Sequence, residues 1–163
     1  MSVLAPSTTL TPPLPPVHLP EGPRGELAAR TLAMPADTNP AGDIFGGWIM
    51  AQMDAAGGIT ATRWAQGRVV TIAVTDMTFL RPVKVGDVVC CYTDPVRVGR
   101  TSLTLRVEVW VLRQGRGERV KVTSAEFTFV ALDDQGRPRP VQGDDAALPS
   151  QQNRLAPSEA DGS

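Results

Sequence analysis

Phe45-Gly46-Gly47-Trp48-Ile49-Met50-Ala51-Gln52-Met53-Asp54-Ala55-Ala56-Gly57-Gly58-Ile59-Thr60-Ala61-Thr62-Arg63-Trp64 contains no proline and one acid. The spacing predicts a helix over about residues 45–64, with Gly67 beyond its end as a stop signal. Phe45, Trp48, Ile49, Met50, Met53, Ala55, Ala56, Ile59 and Ala61, with Ile44 just ahead, cover most of the helical circumference. A helix apolar nearly all round is expected to be buried. Gly57-Gly58 costs such a helix about 1 kcal/mol each relative to alanine, a cost that close approach to sheet backbone would justify. The rest of the chain must then supply a sheet that wraps the helix.

The flanks read as strands. Glu26 to Ala33 forms the first, closed by Pro35, and the turn formers Ala36-Asp37-Thr38-Asn39-Pro40-Ala41-Gly42-Asp43 lead into the helix. Val69 to Phe79, Asp87 to Val98, Thr101 to Leu112 and Arg119 to Leu132 follow, the middle pair joined by a hairpin at Gly99-Arg100. Leu103, Leu105, Val107, Val109 and Val111 alternate with Thr104, Arg106, Glu108 and Trp110, the period of a half-buried antiparallel strand. In the last strand Ala125, Phe127, Phe129 and Ala131 stand opposite Ser124, Glu126 and Thr128. One helix with four or five long strands predicts an α+β domain.

The 163 residues suffice for one domain. It is expected over residues 24–141, between a proline-rich segment, residues 1–23, and a tail, residues 142–163. The first segment holds seven of the fifteen prolines and the tail has no repeating apolar face, so both ends are expected to be disordered. A net charge of −1 argues against a nucleic-acid partner. Between Arg24 and Val141, 15 basic and 12 acidic residues leave about +3, which suits a few phosphates in a local pocket. No apolar run approaches the ~20 residues of a membrane span, and the N-terminus carries no pattern of a secretory signal.

Histidine and cysteine exclude more. The one histidine, His18, lies among the N-terminal prolines, which leaves no Ser-His-Asp or Cys-His unit. Cys90 and Cys91 are too few for a zinc site of the usual kind. Adjacent in a strand, they should point to opposite faces, as reduced and partly buried residues of a cytoplasmic protein.

Asp54 is the only ionisable residue between Asp43 and Arg63. An unpaired buried carboxylate is costly, so Asp54 is either a structural cap or ion-pair partner, or a chemical group. Upstream, Gly46-Gly47 leaves the first helical amides uncovered by side chains. Free amides at a helix N-terminus suit a developing negative oxygen. With a carboxylate nearby, the pattern suggests acyl transfer with the amides as oxyanion hole. Tight packing under the sheet is the plain structural alternative for the two glycines.

Several long motifs carry a resemblance to a known family. Arg30-Thr31-Leu32-Ala33-Met34-Pro35-Ala36-Asp37-Thr38-Asn39, Gly42-Asp43-Ile44-Phe45-Gly46-Gly47-Trp48 and Gln52-Met53-Asp54 closely resemble the YciA-type acyl-CoA thioesterases. So do Gly67-Arg68-Val69-Val70-Thr71, Met77-Thr78-Phe79-Leu80-Arg81-Pro82 and Val85-Gly86-Asp87-Val88-Val89-Cys90-Cys91-Tyr92. The resemblance spans roughly Glu26 to Pro140. It implies the hotdog fold, an antiparallel sheet around one long helix, and hydrolysis of acyl-CoA to free acid and CoA over a broad acyl range. It also implies dimers joined sheet edge to sheet edge, often as a hexameric trimer of dimers. Asp54 is implied as the catalytic carboxylate, Asn39 and Asp43 as residues of the same pocket, and an amide near Gly47 as the group that polarises the thioester carbonyl.

Thioester hydrolysis needs no cofactor, and none is expected. Arg81 and Lys84, with Gly46 and the hairpin residues Arg100, Thr101 and Ser102, are candidates to hold substrate, since arginine forks and hairpin amides suit the CoA phosphates. Arg97 and Gly99 belong to the same basic hairpin. Met50, Met53, Phe79 and the aromatics near Trp48 are candidates for an acyl tunnel or for plain core. Gly47 and Asp54 stand seven residues, ~10.5 Å, apart along a helix axis, yet both must come within about 3 Å of one thioester group. A second, antiparallel copy of the helix would close that gap, so a homodimer is expected to be the minimal active unit. Two rivals stand beside this expectation: a hotdog dehydratase, disfavoured by the absence of a core histidine, and a non-catalytic acyl-CoA-binding module, disfavoured by intact Asp54 and Gly46-Gly47.

Overall fold

The computed structural model describes residues 22–141. The expectations for the proline-rich segment up to Glu21 and for the tail from Gln142 lie outside the described residues. In chain order the elements are β1 (Glu26–Leu32), α1 (Gly46–Ala65), β2 (Val69–Phe79), β3 (Val88–Val98), β4 (Ser102–Leu112) and β5 (Arg119–Ala131), with 3-10 turns at Pro35–Asp37 and Arg113–Gly115. Each boundary falls within one residue of its sequence expectation.

The five strands form one antiparallel sheet in the order β1-β3-β4-β5-β2. Helix α1 lies against one face and touches every strand, the α+β arrangement expected. Leu103, Leu105, Val107, Val109 and Val111 of β4 and Phe127 and Phe129 of β5 pack on Ile49, Met53, Ala56 and Ala61 of α1. Where polar groups enter this core they meet each other: the Thr60 and Thr93 hydroxyls bond at 2.8 Å.

Three expectations need correction. The helix is not buried all round within one chain. Ile49, Met53, Ala56, Gly57, Thr60, Ala61 and Ala65 face the sheet, whereas Met50, Ala51, Asp54, Ala55, Ile59 and Thr62 are exposed. Second, the polar side of β4 is not solvated. Glu108 is only 3% exposed and Trp110 8%, because β4 is the central strand and long side chains from its neighbours lie across it. Glu108 accepts from Trp110 Nε1 at 2.9 Å, Lys121 Nζ at 3.0 Å and the Arg24 amide at 3.3 Å. Burial raises its pKa, but these donors together outweigh that and hold it below the usual glutamate value. Third, Cys90 and Cys91 point to opposite faces as expected, but both are fully rather than partly buried. Burial pushes the Cys91 thiol up to about 12.

The glycine pair of α1 divides. A Cβ on Gly57 would stand 2.8 Å from the tip of the Phe129 ring, whereas one on Gly58 would meet only that ring, at 4.0 Å. Close approach therefore explains Gly57, though against a side chain rather than sheet backbone. Gly57→Ala should gain about 1 kcal/mol of helix propensity and lose about 1–3 kcal/mol to overpacking against a ring locked in the core. A fall in the urea midpoint, equivalent to a net loss of about 1 kcal/mol, is expected; a rise would refute this account.

Candidate active site

Helix α1 begins without a side-chain cap. Phe45 occupies the capping position, and its carbonyl accepts from the Trp48 and Ile49 amides at 3.1 and 3.2 Å. The Gly46 and Gly47 N–H groups have no acceptor among the described residues, the condition of the first amides of any uncapped helix. A Cβ on Gly47 would meet nothing within 4 Å, and one on Gly46 would touch only the Phe79 ring, at 3.4 Å. Packing under the sheet therefore does not account for Gly47. The two unbonded amides stand at the positive end of the helix dipole.

The loop before the helix is built around Asn39. Its Oδ1 accepts from the Ala41 amide at 2.9 Å and the Asp43 amide at 3.1 Å, and its own amide donates to Asp43 O at 2.7 Å. Gly42 takes φ +84° at the turn, a conformation natural to glycine. The side-chain carbonyl of Asn39 is thus spent on folding the loop, and only its Nδ2 group remains to face a ligand. Asp43 pairs with Lys84 Nζ, an ion pair between two residues to which the sequence assigns separate roles. Asn39, Asp43, Gly46, Ile49, Phe79 and Arg81 line a cavity of about 340 Å³ at this end of the helix.

Asp54 lies elsewhere. It is two turns further along the continuous helix, ~10.5 Å from Gly47 by helical rise, and is not among the residues of that cavity. It is exposed, and Thr71 of β2 donates its hydroxyl to Asp54 Oδ1 at 2.6 Å. Thr71 lies within one of the resemblance motifs, but sequence reasoning assigned it no role. No motif signals the pairing, because it depends on the register with which β2 lies along the helix. Exposed apolar side chains stand on α1, Met50 and Ile59, and separately along β2, the last strand of the sheet, Val70, Ile72 and Val74. Ile59 and Ile72 are the most exposed of them, at 56% and 59%.

The candidate substrate residues separate into two groups. Gly46, Arg81 and Lys84 gather at the helix N-terminus, where Arg81 also donates to Lys121 O at 3.1 Å. Arg100, Thr101 and Ser102 lie at the other end. The Val141 amide bonds Arg100 O, the Ala131 amide bonds Thr101 O, and Arg139 reaches Ala65 O at the last residue of α1. A 20-residue helix, ~30 Å long, separates the groups within one chain. Of the tunnel candidates, Met53 is fully buried core, whereas Met50 and Phe79 are exposed.

A long helix held by an antiparallel sheet, with bare amides at its start and a carboxylate on its outer face, defines the class of hotdog thioesterases. Residues 41–118 match the thioesterase superfamily. Over 126 residues the chain is 59% identical to the acyl-CoA thioester hydrolase YciA of Salmonella typhimurium, an alignment covering 74% of this chain and 95% of that one. It superposes on HI0827, a hexameric broad specificity acyl-coenzyme A thioesterase, with a TM-score of 0.72 and 54% identity, covering 77% and 86% of the two chains. On Cj0915, a hexameric hotdog fold thioesterase of Campylobacter jejuni, the TM-score is 0.69 at 45% identity, covering 72% and 91%. The chain belongs to the YciA family of acyl-CoA thioester hydrolases.

Proposed function

We propose that this protein hydrolyses acyl-CoA to free acid and CoA over a broad range of acyl chains, at sites each assembled from two protomers. The observation that carries the proposal is the pairing of Asp54, exposed and held by Thr71, with unbonded Gly46 and Gly47 amides too distant to serve the same carbonyl within one chain. Joining two copies along β2 with their helices antiparallel would set the partner's Asp54 beside these amides and cover Met50 and Ile59 of α1. It would also bring the partner's Arg100, Thr101 and Ser102 to the end of the assembly that carries Arg81 and Lys84, reuniting the two groups of phosphate-binding candidates. A trimer of such dimers is the assembly proposed, in line with the hexameric relatives, and the cytoplasm is the compartment. Among the described residues no helix is long and apolar enough to cross a membrane.

In the chemical step the thioester oxygen accepts hydrogen bonds from the Gly46 and Gly47 amides, and negative charge grows on it as the carbonyl carbon becomes tetrahedral. Thr71 occupies one oxygen of Asp54 and leaves the other for the reaction. That oxygen either takes a proton from the attacking water or itself attacks the carbon. On the first route the C–S bond breaks as CoA leaves as thiolate, which recovers the proton. On the second a mixed anhydride forms with loss of CoA thiolate, and water then cleaves it. Asn39 Nδ2 and Asp43 border the cavity in which the acyl group or pantetheine arm would lie.

Thiol release from short, medium and long acyl-CoAs tests the proposal directly. Release from all three classes is expected. CoA binding without release from any of them would instead establish a binding module. Reversing charge at Arg81 or at Arg100 should raise KM about tenfold for CoA esters, the loss of one charge-assisted phosphate contact, and much less for pantetheine esters, which lack the nucleotide. Equal effects on both substrates would remove these residues from the nucleotide site.

A further inference from the structure

The motif Val85-Gly86-Asp87 is not used by the chemistry above, yet its carboxylate is 1% exposed. Asp87 Oδ2 accepts from the Lys84 amide at 2.9 Å and from Arg113 Nη1, and Oδ1 accepts from the Gln114 amide at 3.3 Å. The guanidinium of Arg113 also donates from Nη2 to Pro82 O at 3.0 Å. One buried carboxylate and one arginine fork thus tie the turn of residues 81–87 to the turn after β4. Gly86, at φ +87°, permits the tight return of the chain, and its amide and the Asp87 carbonyl fasten the turn to Ala33. On its other side the turn meets the site. Val83 O accepts from the Ile44 amide at 2.9 Å just before α1, and Lys84 Nζ pairs with Asp43. Asp43 takes one of the three ammonium protons of Lys84, and the side chain is still 56% exposed, so donors remain for a phosphate.

We propose that Asp87 and Arg113 are positioning residues for substrate recognition. They hold the turn of residues 81–87 so that Arg81 and Lys84 present their charges to the nucleotide phosphates of CoA. This rests on the functional proposal above and adds a determinant that touches no substrate. The clamp acts on where the cations stand and not on the reacting carbonyl, so its loss belongs in KM for nucleotide-bearing substrates. A merely structural role would instead lower the amount of folded enzyme and affect all substrates alike.

The test compares wild type, Arg113→Met, Lys84→Ala and the double variant as intact full-length proteins. KM and kcat are measured for an acyl-CoA and for the matching acyl-pantetheine, and Kd for CoA is measured by calorimetry. Arg113→Met should raise KM for acyl-CoA and Kd for CoA about tenfold, the scale of one lost charge-assisted contact, leaving kcat and the pantetheine KM within about twofold. With Lys84 already removed, the same change should add less than about threefold, because part of what the clamp positions is gone. Arg113→Lys retains a cation for Asp87 but lacks the fork, so it should fold even if Arg113→Met does not, and should raise the CoA KM about threefold. Unchanged CoA affinity in both folded Arg113 variants, equal losses on both substrates, or fully multiplicative effects with Lys84→Ala would each overturn the proposal. Failure of the functional proposal is distinguishable: wild type itself would then release no thiol or bind no CoA.

Discussion

Asp54→Asn is expected to lower kcat by about 10²–10⁴-fold, the usual contribution of a positioned proton acceptor, while fold and CoA affinity stay close to wild type. The substitution keeps the shape of the side chain. It can also keep the Thr71 contact, because the amide oxygen accepts from the Thr71 hydroxyl where Asp54 Oδ1 does at 2.6 Å. What is lost is the negative charge that abstracts a proton or attacks the carbonyl. The side chain is exposed and is not among the residues of the hydrophobic core, so the core does not depend on it. Steady-state thiol release and CoA calorimetry on the same preparation separate the two effects. A variant that keeps most of its kcat would remove Asp54 from the chemistry. If kcat collapses, one turnover in ¹⁸O-labelled water probes the route of the wild type: label entering Asp54 marks an anhydride opened at the Asp54 carbonyl.

The fold was largely legible because its signals are local. The two-residue alternation in β4 and β5 and the unbroken helical stretch after Asp43 each fix an element within a few residues of itself. The outer face of the helix was misread as buried for a specific reason. The apolar side chains Met50 and Ile59 are present for a surface, and sequence hydrophobicity does not tell a sheet of the same chain from a second copy of the helix. Glu108 was misread for the opposite reason: a polar residue in alternation was assigned to solvent, but Lys121 and Trp110 enclose it. In the candidate site, the residue types were legible and the partnerships were not. Asp43 and Lys84 are 41 residues apart, and Asp54 and Thr71 belong to different elements. Such pairs depend on strand register, which no motif states. The hairpin residues Arg100, Thr101 and Ser102 show the same limit at larger scale, since one-dimensional spacing did not reveal that a whole helix length separates them from Arg81.

Mixing two inactive variants should restore activity. Asp54→Ala removes the carboxylate and leaves the amides; Gly47→Pro removes one amide and leaves the carboxylate. Proline is tolerated in the first turn of a helix, and a Cβ at Gly47 meets nothing within 4 Å, so the second variant should fold. Each homodimer would carry two defective sites if each site takes Asp54 from one protomer and its amides from the other. A heterodimer carries one site with both defects and one with neither. At equal concentrations and complete exchange, half of all dimers are mixed and each has one of two sites intact, so about one quarter of wild-type activity should return. Sites confined to a single chain predict no recovery, because every chain in the mixture is defective. Exchange must be verified independently, for instance by mass spectrometry of differently tagged protomers. Exchange without recovery, between partners shown to be folded, would overturn the shared site. The same outcome would leave the ~10.5 Å between Gly47 and Asp54 to be closed by movement within one helix, which a continuous twenty-residue helix packed on all five strands opposes.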